Sequence, residues 1–519
     1  MINPMRSTQN VAKALAMTAT LAAMGCSPEP EVKQPNIILF LVDDMGWQDT
    51  SLPFWTERTP FNERYRTPNM ERLAAQGVKF TQAYATSVCS PTRTSLMTGM
   101  NAARHRVTNW TLNRNQTTDS PDEVLDLPIW NANGLQPVDS IENGLHATTF
   151  PQLLRENGYY TIHCGKAHWG AYDTPGADPL NLGFDVNIAG HAAGGLGSYL
   201  GEKNFGNAEK GVVTRPWGVP GLDKYHGDSI FITEALTREA ISALDQSRET
   251  GKPFYLYMSH YAVHVPMEPD ARFIDRYREM GLPEPEARYA SMVEGMDKSL
   301  GDLMDYLEEK DIADNTVVIF MSDNGGLSAA GRGGEPHTHN WPLRSGKGSA
   351  YEGGIREPMI VRWPGTVAPG TECGEYLIIE DFFPTILEMA GVEQYETEQT
   401  VDGISFMPLL TAQAPAQPDR DLYWHFPNKW GSSGPGIGTT STIRSGDWKL
   451  VYWYKDQSIE LYNITEDIGE THNLAESEPE KVKELAVKLG TYLRSVGADR
   501  PSLKATGQPV PWPDEVIGL

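Results

Sequence analysis

Cys89 is followed by Ser90-Pro91-Thr92-Arg93 and then by Leu96-Met97-Thr98-Gly99. Ser90 suits a helix N-cap and Pro91 a first helical position. Cys89 then stands at the positive end of a helix, where unpaired N–H groups favour an anion. Arg93, one turn in, can offer a planar cationic fork to an oxyanion. The stretch reads as a nucleophile aimed at an anionic ester. Four other short runs carry matching chemistry. Asp43-Asp44 ends the apolar run Ile37–Val42, and adjacent carboxylates repel there unless a cation or partner relieves them. Asp323-Asn324-Gly325-Gly326 ends the run Thr316–Ser322, where carboxylate and carboxamide suit a hard cation and the glycines allow close backbone approach. Lys166 and His168 follow Tyr159–Cys164, and His264 follows Pro253–His260, with His260 as its decoy. Each residue also admits an ordinary role: a buried thiol at a helix start, a solvated turn, a surface loop, a satisfied structural histidine.

The elements that must position these residues are legible as patterns. Continuous apolar runs suit parallel strands buried on both faces, and in an open parallel sheet ligands bind beyond the carboxyl ends of the strands. One site therefore gathers every candidate. Val78–Ala85 reads as a strand leading into the Cys89 turn. Helices are expected from Thr67-Pro68 to Gly77, over Thr149–Asn157, from an Asp228 cap to Arg248, over Glu286–Lys310 and over Asp381–Ala390. From about Gln399 the pattern changes. Asp419–Phe426, Ser441–Tyr454 and Glu460–Asn463 alternate as short antiparallel strands, and Glu478–Val496 closes them as a helix. The expected fold is α/β: a large mixed, mostly parallel sheet flanked by helices, plus a small C-terminal antiparallel α+β subdomain. The divisions are 1–25 signal peptide, 26–35 tether, 36–398 catalytic domain, 399–500 C-terminal subdomain and 501–519 irregular tail.

A chain of 519 residues with 39% hydrophobic residues can bury a large core. The net charge of −25, with no long basic run, argues against nucleic acid as a partner. An anionic substrate would have to be met by cations gathered in one pocket. The four cysteines, Cys26, Cys89, Cys164 and Cys373, show no metal-site spacing. Arg6 and Lys13 precede the apolar run Ala14–Met24, which is too short to span a bilayer. It ends Ala-Ala-Met-Gly-Cys26, which resembles a bacterial lipobox with Ala23 in place of the usual Leu. Export is expected, as an outer-membrane lipoprotein anchored through Cys26 or as a periplasmic protein.

Cys89-X-Pro91-X-Arg93 followed by Leu96-X-Thr98-Gly99 resembles the signature of the type I sulfatases of the alkaline phosphatase superfamily, with Thr92 where Ser is commoner. Gly165-Lys166-Ala167-His168 resembles a second motif of that family. Val263-His264-Val265-Pro266 resembles its Pro-His-X-Pro loop, with Val263 replacing Pro. Lys347-Gly-Ser-Ala-Tyr351-Glu-Gly-Gly-Ile-Arg356 is very close to a third block. The resemblance covers roughly residues 35–500. It implies an alkaline phosphatase-like fold and conversion of Cys89 to formylglycine (3-oxoalanine) by a maturation enzyme. It also implies one Ca2+ held by Asp43, Asp44, Asp323, Asn324 and an oxygen of residue 89. In that scheme Arg93 supports the hydrated aldehyde, Lys166 and Lys347 contact sulfate, His264 protonates the leaving alcohol, and His168 takes a proton from the second hydroxyl. His337, His339 and Trp341 on one loop, with Trp110, Trp130, Tyr423-Trp424-His425 and Trp430, could line a substrate entrance suited to sugar rings. The expected substrate is a sulfated glycan, such as a marine galactan, in preference to an aryl sulfate. The alternatives are a phosphomonoester or phosphonate monoester hydrolase of the same superfamily, or an inactive glycan-binding lipoprotein.

Overall fold

The computed structural model describes residues 34–206, 214–329, 332–411 and 420–518. The expected signal, lipobox and all but the end of the tether lie outside these residues. Gln34 and Pro35 are already tied to the body: the Asn315 amide donates to the Gln34 carbonyl at 3.1 Å, and the Tyr159 hydroxyl to that of Pro35 at 2.8 Å.

The apolar runs form the centre of a nine-stranded sheet. Its strands are β1 (Asn36–Val42), β2 (Val78–Tyr84), β3 (Tyr160–Gly165), β4 (Val186–Ile188), β5 (Phe254–Ser259), β6 (Thr316–Ser322), β7 (Arg356–Arg362), β8 (Thr371–Cys373) and β9 (Leu377–Ile378). Their order is β8-β2-β7-β6-β1-β5-β3-β4, with β9 also on β2. Every residue of β1, β5, β6 and β7 is buried, as strands covered on both faces require. β1 runs parallel to both β5 and β6, and β3 to β5, whereas β7 runs antiparallel to β2 and β6. This one reversal matters. It brings the start of β7 to the edge where the other central strands end, so the segment around Lys347 enters the same cleft.

The alternation along β1 sorts two cores. Ile38, Phe40 and Val42 pack with α4 (Ile232–Glu249) and α5 (Glu284–Glu309). Ile37, Leu39 and Leu41 pack on the other face with α2 (Cys89–Thr98), α3 (Phe150–Glu156) and α6 (Phe382–Met389). A further helix, α1 (Pro68–Ala75), lies on the first face through Met70 and Leu73. The expected Asp228 cap is displaced: Phe231 is the N-cap of α4, because residues 225–230 are held in turns and the Ile232 N–H bonds the Tyr199 carbonyl at 2.8 Å.

The C-terminal strands β10 (Asp421–Phe426), β11 (Thr440–Ser445), β12 (Trp448–Trp453) and β13 (Ile459–Asn463) form an antiparallel sheet in sequence order. Its apolar residues meet Leu485, Leu489 and Leu493 of α7 (Pro479–Ser495). Residues 34–519 group as one compact unit. The tail is more ordered than its proline content suggests: Ser502-Leu503 pairs with Leu125-Asp126, a helical turn spans Pro513–Val516, and Val510 and Trp512 are buried. Cys164 and Cys373 are both free thiols. No described helix is long and apolar enough to cross a membrane.

Candidate active site

The helix α2 begins at Cys89 with Val88 as its N-cap, two residues earlier than the Ser90-Pro91 signal implies. Ser90 is used elsewhere: its hydroxyl accepts from the Thr111 N–H at 3.1 Å and donates to the His168 carbonyl at 3.3 Å. Pro91 still lies in the first turn, where its missing N–H costs nothing. Arg93 is fully buried. Its Nε donates to Asp323 Oδ2 at 2.9 Å, and its Nη1 to the Lys166 carbonyl at 3.0 Å and Ser259 Oγ at 2.6 Å. Its Nε and Nη1 therefore align Asp323 and the ends of β3 and β5, while Nη2 makes no hydrogen bond. Burial pushes the Cys89 thiol upward against the pull of Lys166 and Lys347, so the unmodified thiol is neutral.

The strand register converges the acidic groups. Val42 is paired with Ser322, so Asp43-Asp44 and Asp323-Asn324 leave the sheet side by side. Carboxylate oxygens of Asp43, Asp44 and Asp323 lie within 4.8 Å of one another, all buried. Lys166 Nζ is 2.7 Å from Asp43 Oδ2, and Lys347 Nζ is 2.6 Å from Asp44 Oδ1. The Asn324 amide donates to Asp44 Oδ1 at 2.8 Å. Three oxygens remain without a hydrogen-bond partner: Asp43 Oδ1, Asp44 Oδ2 and Asn324 Oδ1. Buried acceptors are rarely left so, and hard oxygens in this number are the donor set of a hard divalent cation. Burial, only partly countered by Lys166, holds the Asp43 carboxyl well above its ordinary range. Asp44 goes the other way: burial would raise it, but Lys347 and then His264 hold it below the carboxylate range. Asp44 and His168 both adopt left-handed backbone, with φ of 61° and 60°, a strain that functional sites tolerate. Gly325 is required by contact, since a Cβ there would sit 1.9 Å from the Gly353 carbonyl oxygen.

A cavity of about 420 Å³ opens over this cluster, with Cys89, His168, His264 and Lys347 at its inner end. His168 Nε2 lies 2.9 Å from the Thr111 carbonyl and so carries the proton, leaving Nδ1 as a buried acceptor without a partner. Its ring fits only because residue 194 is glycine, where a Cβ would lie 2.1 Å from His168 Cε1. His264 Nδ1 lies 2.7 Å from the Val265 carbonyl, which directs Nε2 toward Asp44 Oδ2 at 3.8 Å. Burial and then Lys166 push His168 well below the usual histidine range, and burial with Lys347 lowers His264 to about 4. His260, by contrast, is fully buried against Ser299.

The structure thus brings together Asp43, Asp44, Cys89, Arg93, Lys166, His168, His264, Asp323, Asn324 and Lys347. It does not bring in the four further residues expected at the entrance. His425 is buried between Ser441 Oγ and the Asp499 carbonyl, each 2.7 Å away. His339 bonds the Gly333 carbonyl at 2.7 Å, His337 packs against Gly434, and Trp341 meets Trp55 edge-on at 5.6 Å. Trp130, Tyr423 and Trp424 are packing residues: Trp130 Nε1 bonds Asp119, Trp424 Nε1 bonds the Ala85 carbonyl, and Tyr423 stacks on Tyr492. Of the expected aromatics, Trp110 and Trp430 line the cavity. Trp217 also lines it and was not singled out from the sequence, because it lies in a glycine-rich stretch without periodicity; its side-chain type is the one signal there.

Comparison with known proteins agrees with this geometry. The sulfatase family profile matches residues 35–392, and that of the C-terminal region of N-sulphoglucosamine sulphohydrolase matches residues 345–498. A sulfatase of Formosa agariphila is 31% identical, covering 89% of this chain and 88% of its own. The N-acetylgalactosamine-6-sulfatase of Canis lupus familiaris is 30% identical over 85% of this chain and 75% of its own. Among solved structures, Ps i-CgsB in complex with k-i-k-neocarrahexaose superposes with a TM-score of 0.68 at 27% identity, covering 89% of this chain and 93% of that one. On a match that includes every strand end in the cleft, the chain belongs to the sulfatase family and is a sulfuric ester hydrolase.

Proposed function

We propose that the protein removes sulfate from a sulfated carbohydrate, with residue 89 matured to formylglycine and one Ca2+ held in the acidic cluster. The observation that carries this reading is the position of residue 89, at the inner end of the cavity beside three unpartnered ligand oxygens. Asp43, Asp44, Asp323 and Asn324 would hold the ion. When bound, hydrated formylglycine supplies a nucleophilic hydroxyl and Ca2+ supplies charge that polarises the sulfate. The chain's own groups do the rest. Lys347, and Lys166 behind it, offer positive charge to the sulfate oxygens. His264, its Nδ1 fixed on the Val265 carbonyl, presents Nε2 to protonate the leaving alcohol oxygen. The anionic sulfate beside it favours that protonated form, against the burial that lowers it. His168, with Nε2–H held by Thr111, has Nδ1 free to take a proton at residue 89 as sulfate leaves. Arg93 keeps Asp323 in register.

The carbohydrate part is supported by the neighbours, one named an N-acetylgalactosamine-6-sulfatase and one solved in complex with k-i-k-neocarrahexaose. Export through the N-terminal signal, with a lipid on Cys26, is part of the same proposal and rests on the sequence. So does maturation by a formylglycine-generating enzyme. The deciding experiment is the mass of the peptide containing residue 89 from active protein, with sulfate release from sulfated oligosaccharides measured beside phosphate release from an aryl phosphate. An aldehyde mass and faster sulfate release support the reading. An intact thiol in fully active protein, or faster phosphate release, would overturn it.

A further inference from the structure

Resting on the sulfatase reading, we propose that the sugar bearing the ester is recognised by an uncharged wall formed by Trp110, Trp217 and Trp430 with nearby hydroxyls. The enzyme then selects glycan units whose only negative group near the cleavage point is the sulfate it removes. The cavity has two unlike ends. Its inner end holds the ionisable groups. Its outer wall is made by Trp110, Thr118, Ser120, Trp217, Trp430 and Ser432. Among the described lining residues there is no arginine, aspartate or glutamate, and the one lysine is Lys347, already 2.6 Å from Asp44.

Two neighbouring cations among the described residues are engaged elsewhere. Lys429 donates to the Pro121 carbonyl at 2.9 Å and to Asp122 at 3.2 Å. Arg215 lies over the Tyr172 ring at 4.5 Å and bridges Asp173 at 2.8 Å. The wall is also built in advance. Asp119 accepts from Asn109 at 2.7 Å, Trp130 at 2.9 Å and Asn428 at 3.1 Å, and the Ser120 N–H bonds the Lys429 carbonyl at 2.9 Å. These bonds join the segment carrying Trp110 to the one carrying Trp430. Trp430 sits on Gly348, where a Cβ would lie 2.2 Å from its ring, and its ring centroid is 5.9 Å from Lys347 Nζ. Sugar contact and sulfate contact are therefore adjacent.

The recognition chemistry follows. Indole faces suit the C–H face of a pyranose, and serine and threonine hydroxyls suit its hydroxyl groups. A second sulfate or a carboxylate on that ring would lose hydration without gaining a counter-charge. The protein's net charge of −25 adds to the exclusion.

The test uses formylglycine-loaded enzyme and four substrates: a neutral hexose oligosaccharide with one sulfate ester, the same with a second sulfate on that ring, the same with a uronate at that ring, and an aryl sulfate. The monosulfated neutral sugar should exceed the other two sugars in kcat/KM by about tenfold or more. Trp110→Ala should lower the ratio of oligosaccharide to aryl sulfate kcat/KM by about tenfold, through KM. Ser432→Arg should recover turnover of the disulfated sugar. Equal kcat/KM for mono- and disulfated sugars overturns the proposal, as does an unchanged ratio in Trp110→Ala. If the loaded enzyme releases sulfate from none of the four, the sulfatase reading fails and this proposal with it; activity on the aryl sulfate without discrimination among the sugars defeats this proposal alone.

Discussion

At the residue scale, the fate of Cys89 is decided by burial as much as by helix position. The helix start favours an anion, yet burial keeps the thiol neutral. Cys89→Ser should fold, because serine fits the same space, but its hydroxyl lacks the second oxygen that lets sulfate depart. At most one equivalent of alcohol is expected per chain, with the mass of one sulfuryl group retained on the peptide. Sustained sulfate release by that variant would refute the formylglycine mechanism. A second residue carries a pH signature. Glu380 is buried, with one oxygen bonded to the Asn101 amide at 2.9 Å and the other unpartnered, and burial with Asp381 raises it to about 8. Its folded-state pKa lies above the unfolded value of about 4.3. Stability from this group is fully present below that unfolded value and falls as pH rises toward 8, by at most about 1.4 kcal/mol per pH unit. Glu380→Gln should flatten that part of the stability–pH curve between pH 5 and 8, as read by urea unfolding. A curve of unchanged slope would show that Glu380 ionises normally in the folded protein.

At the element scale, the segment before β7 is held by the C-terminal sheet. Lys449 on β12 is fully buried and lies 2.9 Å from Glu352 Oε1 and 2.9 Å from Glu470 Oε1. Glu352 also accepts from Tyr84 on β2 at 2.6 Å, so one ionic cluster ties β2, β12 and the Lys347 segment together. Lys449→Met would remove the cation shared by two buried carboxylates, leaving Glu352 only the more distant Arg356 at 3.4 Å, and should cost about 3–5 kcal/mol of unfolding free energy. Adding Glu352→Gln should recover part of that loss, because one stranded charge is removed; simple additivity of the two variants would deny the clamp. Such a cluster was not legible in the sequence, since its members are 97 and 118 residues apart. The strands were legible, because strands covered on both faces must be continuously apolar, and the parallel rule then gathers Asp43, Lys166, His264 and Asp323 without further information. What failed were local signals outvoted by distant partners. Ser90-Pro91 looks like a cap until Thr111 and His168 take the Ser90 hydroxyl. His337, His339 and His425 look like loop histidines available to a ligand, although tertiary packing engages all three.

At the scale of the whole molecule, a strongly acidic protein hydrolyses anionic esters by concentrating cations in one cleft, and those cations are matched there by buried carboxylates. The three carboxylates of the cluster face Lys166, Lys347 and Arg93, yet Asp43 Oδ1, Asp44 Oδ2 and the Asn324 carboxamide oxygen still meet no donor. A hard cation would take the oxygens that no donor reaches. Such an ion would bind the folded chain alone, because in the unfolded chain Asp43-Asp44 and Asp323-Asn324 are separated by 279 and 280 residues. Binding then stabilises folding by mass action, by about 2.7 kcal/mol when free Ca2+ is a hundredfold above Kd. Chelation should therefore lower Tm and abolish sulfate release together, and Ca2+ should restore both. Asp323→Asn should blunt the Ca2+-dependent rise in Tm, since it removes a ligand charge as well as the Arg93 partner. Calorimetry with and without chelator reads the first effect, and titration of Ca2+ into the chelated protein reads the second. Recovery of activity by Zn2+ and not by Ca2+ would reassign the site to a softer metal. A Tm that ignores Ca2+ would mean that Lys166, Lys347 and Arg93 balance the buried charge without an ion.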